Sequence, residues 1–196
     1  MEKKETIFKM IKEHHKKTFE KAKKEGKMDL DFIPLCEHLT KTTEYFTSSC
    51  CAGRIALVGL NKKETKKESA FHRKWHKKVK FEEIKKGISS FEGEVLWLKQ
   101  EPLILHLGTK TLNNSIKIIA ICEKIGLKRA GIKVIKEGKY ILEIIGNHNI
   151  NMPVKEGKIS INENYLKYVV KKCNQKFDKN KKTLKKLTIE IKKQIK

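Results

Sequence analysis

The residues best suited to chemistry lie in one stretch, Tyr45-Phe46-Thr47-Ser48-Ser49-Cys50-Cys51-Ala52-Gly53-Arg54-Ile55. Small side chains let a ligand approach the backbone, whose N–H groups hold phosphate or carboxylate. The hydroxyls of Thr47 and Ser49 add donors, and the Arg54 guanidinium can grip an anion through two parallel hydrogen bonds. The reading is a strand-loop-strand ligand cradle running from Thr47 to Arg54; a polar turn ahead of a core strand is the alternative. Neighbouring Cys50 and Cys51 invite a metal or thiolate role. Adjacent thiols chelate one ion poorly, however, and no Cys-x-x-Cys occurs among Cys36, Cys50, Cys51, Cys122 and Cys173. Both are read as packed, uncharged thiols, and no metal is expected.

Two further segments carry reactive side chains. In Phe71-His72-Arg73-Lys74-Trp75-His76, regular strand alternation puts Phe71, Arg73 and Trp75 on one face and His72, Lys74 and His76 on the other. The lysine-histidine face suits a phosphate or a base edge. Trp75 offers a stacking plane for adenine or a nucleobase, or else a core position. In Trp97-Leu98-Lys99-Gln100-Glu101-Pro102-Leu103-Ile104-Leu105-His106, Glu101 and His106 would face opposite sides of a single strand, so they need not form an acid–base pair. Glu101, His76 and His106 are the candidate proton acceptors.

The elements that must position these residues follow from periodicity. Apolar positions at helical spacing predict a helix over 5–25 that stops at Gly26, and a second over 31–43 with Asp31 as N-cap and Pro34 in its first turn. Ile55–Leu60 reads as a buried strand and 61–69 as a mobile lysine-rich loop. Phe71–Val79, Val95–Lys99 and Leu103–Leu107 read as strands, and 81–89 as a short helix. A helix over 111–125 should stop at Gly126, with a hairpin turning at Glu137-Gly138-Lys139 and short strands near 150–154 and 158–161. Leu166, Val169, Val170, Cys173, Phe177, Leu184, Leu187 and Ile191 step by threes and fours through one long amphipathic C-terminal helix. Without regular βαβ alternation, the fold class is α+β, a mixed or antiparallel sheet packed with helices. No Gly-x-Gly-x-x-Gly follows a strand, which argues against a Rossmann-type site. At 196 residues a single domain over 1–196 is expected.

Charge narrows the partner. Lys and Arg total 46 against 23 for Asp and Glu, a net charge of +23. Such an excess concentrates polyanions around the chain, and each neutralised phosphate releases counterions. Thermophile surfaces are also lysine-rich, but they usually balance lysine with glutamate. Arg54, Arg73, Lys74 and Lys99 are the candidate RNA contacts. No apolar run is long enough to span a membrane, the N-terminus lacks a signal-peptide pattern, and the odd cysteine set does not suggest a disulfide framework. These features point to a protein of the reducing cytoplasm with no membrane association, and no obligate protein partner is inferred.

The Thr47–Arg54 stretch resembles the Ser-x-Ser-Ser-Cys-x-Gly-Arg signature of the tRNA wybutosine-synthesising protein 3 family, in its archaeal branch. It matches at Ser49, Cys51, Gly53 and Arg54, and departs at Thr47, which keeps the hydroxyl, and at Cys50, which stands where the family shows serine. Lys24-x-Gly26-x-x-Asp29, Ile33-Pro34-Leu35, the Lys74-Trp75-His76 element and the Glu101-Pro102…His106 segment are similar to other family positions. The resemblance implies a non-Rossmann enzyme. It would move a methyl group from S-adenosylmethionine to the N4 ring nitrogen of 7-aminocarboxypropyl-demethylwyosine, beside the anticodon of phenylalanine tRNA. On that basis Ser49, Cys51, Arg54, Glu101 and His106 are candidate catalytic residues. Thr47, Ser49, Gly53, Trp75 and His76 are candidate cofactor contacts. A non-catalytic basic RNA-binding protein is the rival reading.

Overall fold

A computed structural model describes residues 2–65 and 69–196. In chain order its elements are α1 (Glu2–Lys24), a 3-10 turn (Leu30–Phe32), α2 (Ile33–Lys41), β1 (Tyr45–Cys51), β2 (Arg54–Leu60), β3 (Ala70–Trp75), α3 (Phe81–Ser89), β4 (Val95–Glu101), β5 (Ile104–Thr109), α4 (Leu112–Lys124), β6 (Arg129–Lys136), β7 (Lys139–Ile145), β8 (Ile150–Glu156), β9 (Ile159–Ser160) and α5 (Glu163–Gln194). Every strand pair among the described residues is antiparallel. The α+β class, the absence of a doubly wound sheet and the long C-terminal helix all hold.

The chain forms two compact units. The first comprises residues up to Ala52, Leu103–Asn147 and the C-terminal residues from Lys181; it contains a four-stranded sheet ordered β1-β5-β7-β6. Its core joins Phe32, Leu35 and Leu39 to Leu105 and Leu107, Leu142 and Ile144, Ile118 and Ile121, and Leu184, Leu187 and Ile191. The second comprises Gly53–Pro102 and His148–Asn180, with a five-stranded sheet ordered β3-β2-β4-β8-β9. Its core joins Ile55 and Leu57, Ile84 and Ile88, Leu96 and Leu98, and Val169, Cys173 and Phe177. Strands β2, β4, β5 and β7 supply these cores from alternate positions, as a half-covered antiparallel sheet requires.

Local signals decided most element ends. Gly26 takes φ +65°, and the Lys27 N–H reaches the Ala22 carbonyl at 2.9 Å, closing α1. Gly126 ends α4 in the same way, with φ +81° and the Leu127 N–H on the Cys122 carbonyl. Three expectations change. Asp31 is not an N-cap: the chain enters α2 through the 3-10 turn, and the Asp31 carboxylate pairs with Lys181 at 2.8 Å. The strand over Phe71–Val79 stops at Trp75. The Thr47–Arg54 cradle is not a loop, because β1 runs to Cys51 and β2 starts at Arg54, leaving only Ala52 and Gly53 between them. Of the lysine-rich loop over 61–69, residues 66–68 lie outside the described residues.

Candidate active site

In the first unit, β1 stands at the edge of its sheet and, among the described residues, pairs only with β5. A bulge at Ser48 interrupts the register, so that Thr47 faces Leu107 and Ser49 faces His106. Directly opposed side chains share a sheet face, and Ser49 Oγ lies 2.8 Å from His106 Nδ1. On the next strand His106 faces Glu143, whose carboxylate oxygen Oε2 lies 3.1 Å from His106 Nε2. The other oxygen, Oε1, pairs with the Lys133 ammonium at 3.3 Å. The His106 hydrogen bond, with Lys133 beside it, holds the Glu143 carboxyl below the usual carboxylate range. One polar line therefore crosses four strands, while the opposite face carries Leu105, Leu107, Leu142 and Ile144 into the core.

Beside Ser49 a cleft of about 200 Å³ opens between α1 and β1, with Phe19, Ala22 and Met28 facing the Thr47–Cys50 edge. The His15 ring, also in its wall, stacks on Phe46 with centroids 4.7 Å apart and planes 7° from parallel. Burial, with smaller contributions from His14 and Lys139, lowers the His15 pKa. The Phe46 ring lies against Gly108, where a Cβ would come within 2.1 Å of it, so only glycine leaves room there. The Lys12 ammonium donates to the carbonyls of Leu39, Thr40 and Tyr45, closing the end of α2 and holding the start of β1. The Cys50 thiol shares a hydrogen bond with the buried Cys36 thiol on α2, and that bond together with burial pushes its pKa up. The Asp29 carboxylate accepts the Ala52 N–H just beyond β1.

The second unit holds the remaining sequence candidates. Gly53 takes φ +100°, a conformation that favours glycine. Arg54 faces Glu101 across β2 and β4, and its Nε donates to that carboxylate. Its guanidinium also lies 4.6 Å above the Phe71 ring, with the Lys74 ammonium 5.7 Å from the same ring. The expected alternation of β3 is broken. Arg73 faces Leu57 but Phe71 faces Val58, so His72 is an inserted residue. Phe71 and Lys74 therefore share the face of Arg54, whereas Arg73 and Trp75 oppose the core residues Leu57 and Ile55. His72 reaches the Gly87 carbonyl at 3.0 Å on α3. Trp75 is half-buried against the core, and His76 lies exposed just past the strand. On β4, Lys99 and Trp97 oppose Ala56 and Val58, on the face that bears Arg54 and Glu101. The Trp97 indole donates to Glu64 at 2.8 Å.

Ser49 and His106 thus meet directly, as do Arg54 and Glu101. Thr47, Ser49, Cys51 and His106 belong to the first unit; Gly53, Arg54, Arg73, Lys74, Trp75, His76, Lys99 and Glu101 belong to the second. Glu101 and His106 lie on separate strands, Glu101 paired with Arg54 and His106 with Glu143. Sequence reasoning missed Glu143, Lys133 and the Phe71 platform. Glu143 left one faint signal, a lone carboxylate amid the apolar run Tyr140–Ile145.

Fold and site together define a non-Rossmann α+β protein with an acid–base chain on one sheet and a basic, aromatic face on the other. A family model described as Methyltransferase TYW3 matches residues 2–193, and the chain belongs to that family. It is therefore a methyltransferase. It is 31% identical over 173 residues to a relative from Thermococcus sibiricus named tRNA(Phe) 7-((3-amino-3-carboxypropyl)-4-demethylwyosine(37)-N(4))-methyltransferase, covering 88% of each chain. A Pyrococcus horikoshii relative with that name, numbered 1, is 32% identical over 185 residues, covering 88% of this chain and 94% of its own. Among solved structures, the PH1069 protein of Pyrococcus horikoshii superposes with a TM-score of 0.88 at 31% identity, covering 94% of this chain and 95% of its own. A hypothetical protein of Aeropyrum pernix shares the fold with a TM-score of 0.75 at 20% identity, over 84% of this chain and 98% of its own.

Proposed function

We propose that this chain transfers a methyl group from S-adenosylmethionine to the N4 ring nitrogen of 7-(3-amino-3-carboxypropyl)-4-demethylwyosine in phenylalanine tRNA. The observation that carries this reading is the 31–32% identity to relatives of that name over 88% of the chain. S-adenosylmethionine, when bound, supplies a methyl group already activated on a sulfonium. What the chain must add is alignment of the acceptor nitrogen and removal of its proton. Ser49 and His106 suit proton removal, since an imidazole with a hydroxyl at 2.8 Å is an acceptor already joined to a proton carrier.

The cleft beside Ser49 suits the donor. Phe19, Ala22 and Met28 offer an apolar wall, Thr47 and Ser49 offer hydroxyls, and about 200 Å³ is room for one arm of such a molecule rather than all of it. Gly53, Trp75 and His76 remain candidate donor contacts, and Cys51 a candidate lining residue of the reaction site. Arg54, Lys74 and Lys99 share one sheet face in the second unit and suit RNA phosphates, with Glu101 holding the Arg54 fork and Arg73 contributing from the other face. No helix among the described residues is long and apolar enough to cross a membrane, which accords with work on tRNA in the cytoplasm.

The test is a transfer assay with methyl-labelled S-adenosylmethionine and phenylalanine tRNA carrying the unmethylated tricyclic base. Label should enter that nucleoside alone. Tight tRNA binding without incorporation would favour a non-catalytic RNA-binding protein instead.

A further inference from the structure

Glu143 and Lys133 stand outside every motif, yet they complete the polar line that begins at Ser49. Ser49, His106 and Glu143 occupy directly opposed positions on β1, β5 and β7, so backbone register alone brings their side chains together. We propose that Glu143, anchored by Lys133, is a positioning residue that fixes His106 as the proton acceptor facing Ser49. This inference rests on the methyl-transfer reading for its consequence, but not for its geometry.

The argument begins with what each atom can do. An ionised carboxylate only accepts hydrogen bonds. Glu143 Oε2 lies 3.1 Å from His106 Nε2, and its other oxygen is engaged by Lys133. The hydrogen bond from His106 and the adjacent ammonium both favour the ionised carboxylate. Nε2 must then carry hydrogen, and in the neutral imidazole Nδ1 is left with a free lone pair. That lone pair faces Ser49 Oγ at 2.8 Å, so the hydroxyl donates to it. Without Glu143, no other hydrogen bond to the ring among the described residues selects this tautomer over the reverse one, in which Nδ1 holds the proton and accepts none.

During transfer the acceptor nitrogen forms its bond to the methyl carbon while the carbon–sulfur bond breaks, its electron pair returning to sulfur. The proton on that nitrogen passes to Ser49 Oγ as the Ser49 hydroxyl proton passes to His106 Nδ1. The imidazolium so formed carries the positive charge that the sulfonium has lost. Its Nε2–H points at the Glu143 carboxylate, which stabilises the charge, and the proton then leaves to water. Atoms and charge balance with no further reactant.

The experiment uses the full chain with ¹⁵N-labelled histidine, and Glu143→Gln as a near-isosteric variant whose amide can donate to Nε2. Two-bond proton–nitrogen spectra, with the His106 signals assigned through His106→Asn, should show only the Nε2–H tautomer in the unsubstituted protein. Glu143→Gln should admit the Nδ1–H form, and Lys133→Gln should admit less of it. With labelled S-adenosylmethionine and precursor tRNA, Glu143→Gln should lower kcat at least about tenfold and leave KM for tRNA within about twofold, against about a hundredfold or more for His106→Asn. An Nδ1–H tautomer in the unsubstituted protein would overturn the proposal, as would a Glu143→Gln protein with unaltered tautomer and kcat. Failure of the unsubstituted protein to transfer methyl would overturn the reaction instead, since the spectra test Glu143 without it.

Discussion

The Asp29 carboxylate accepts the backbone N–H of Ala52 at 2.7 Å, joining the turn before α2 to the residue that follows β1. A hydrogen bond to a charged group contributes about 1.5–3 kcal/mol. Asp29→Ala should lower the melting temperature by several degrees, since about 1 kcal/mol moves a chain of this size by roughly 2–4 °C. Asp29→Asn, which keeps a carbonyl acceptor, should cost less. Thermal melts of the three proteins decide it, and equal midpoints would remove the contact from the account of stability.

Arg54 is held twice, by the Glu101 carboxylate and by the Phe71 ring at 4.6 Å. Arg54→Lys keeps the charge but not the planar fork. It should lose roughly tenfold in methyl transfer at limiting tRNA, and Arg54→Ala about ten- to a hundredfold. Circular dichroism should show both folded. A double-mutant cycle with Phe71→Leu should give a coupling of about 0.5–1 kcal/mol for the stacked pair.

The net charge of +23 makes a statement about salt. If phosphate contacts dominate tRNA affinity, its logarithm should fall linearly with the logarithm of salt concentration. About six contacts would weaken binding roughly a thousandfold between about 50 and 200 mM. A flat titration would assign affinity to base contacts.

Thiol reactivity should follow burial. The Cys36 hydrogen bond and burial raise the pKa of Cys50, and burial pushes Cys122 and Cys173 up to about 12. Since the thiolate is the nucleophile, these three should react with iodoacetamide at pH 8 far more slowly in native than in unfolded protein, as read by peptide mass spectrometry. Cys50→Ser should keep near-normal methyl transfer, and loss of a stoichiometric metal with that substitution would contradict the packed-thiol reading.

His15 should make the first unit acid-sensitive. Burial lowers its folded pKa below the ordinary 6.5, so the unfolded chain binds a proton that the folded one refuses. Stability is then full above the unfolded value. It falls as pH drops through about 6.5 and stops falling once pH is below the folded value. His15→Phe should flatten denaturation midpoints across that window while keeping a ring on Phe46. An unchanged pH slope would assign the sensitivity to another group, such as His148, whose pKa burial also lowers.

Local chemistry was legible in the residues themselves. The three- and four-residue steps from Leu166 to Ile191 are enough to specify α5, because an amphipathic helix writes its period into its own sequence. Gly26 and Gly126 marked helix ends because few other residues tolerate positive φ. The Thr47–Arg54 signature carried the family. Alternation misled at His72, because one inserted residue moves everything beyond it to the other sheet face and leaves no mark in composition. Nor could spacing show that Ser49 meets His106, 57 positions on, or that His106 meets Glu143, 37 positions further. Those contacts come from strand register, and register is fixed only when the alternate faces of β5 and β7 are buried together, a choice made by the core and not by the polar residues it aligns.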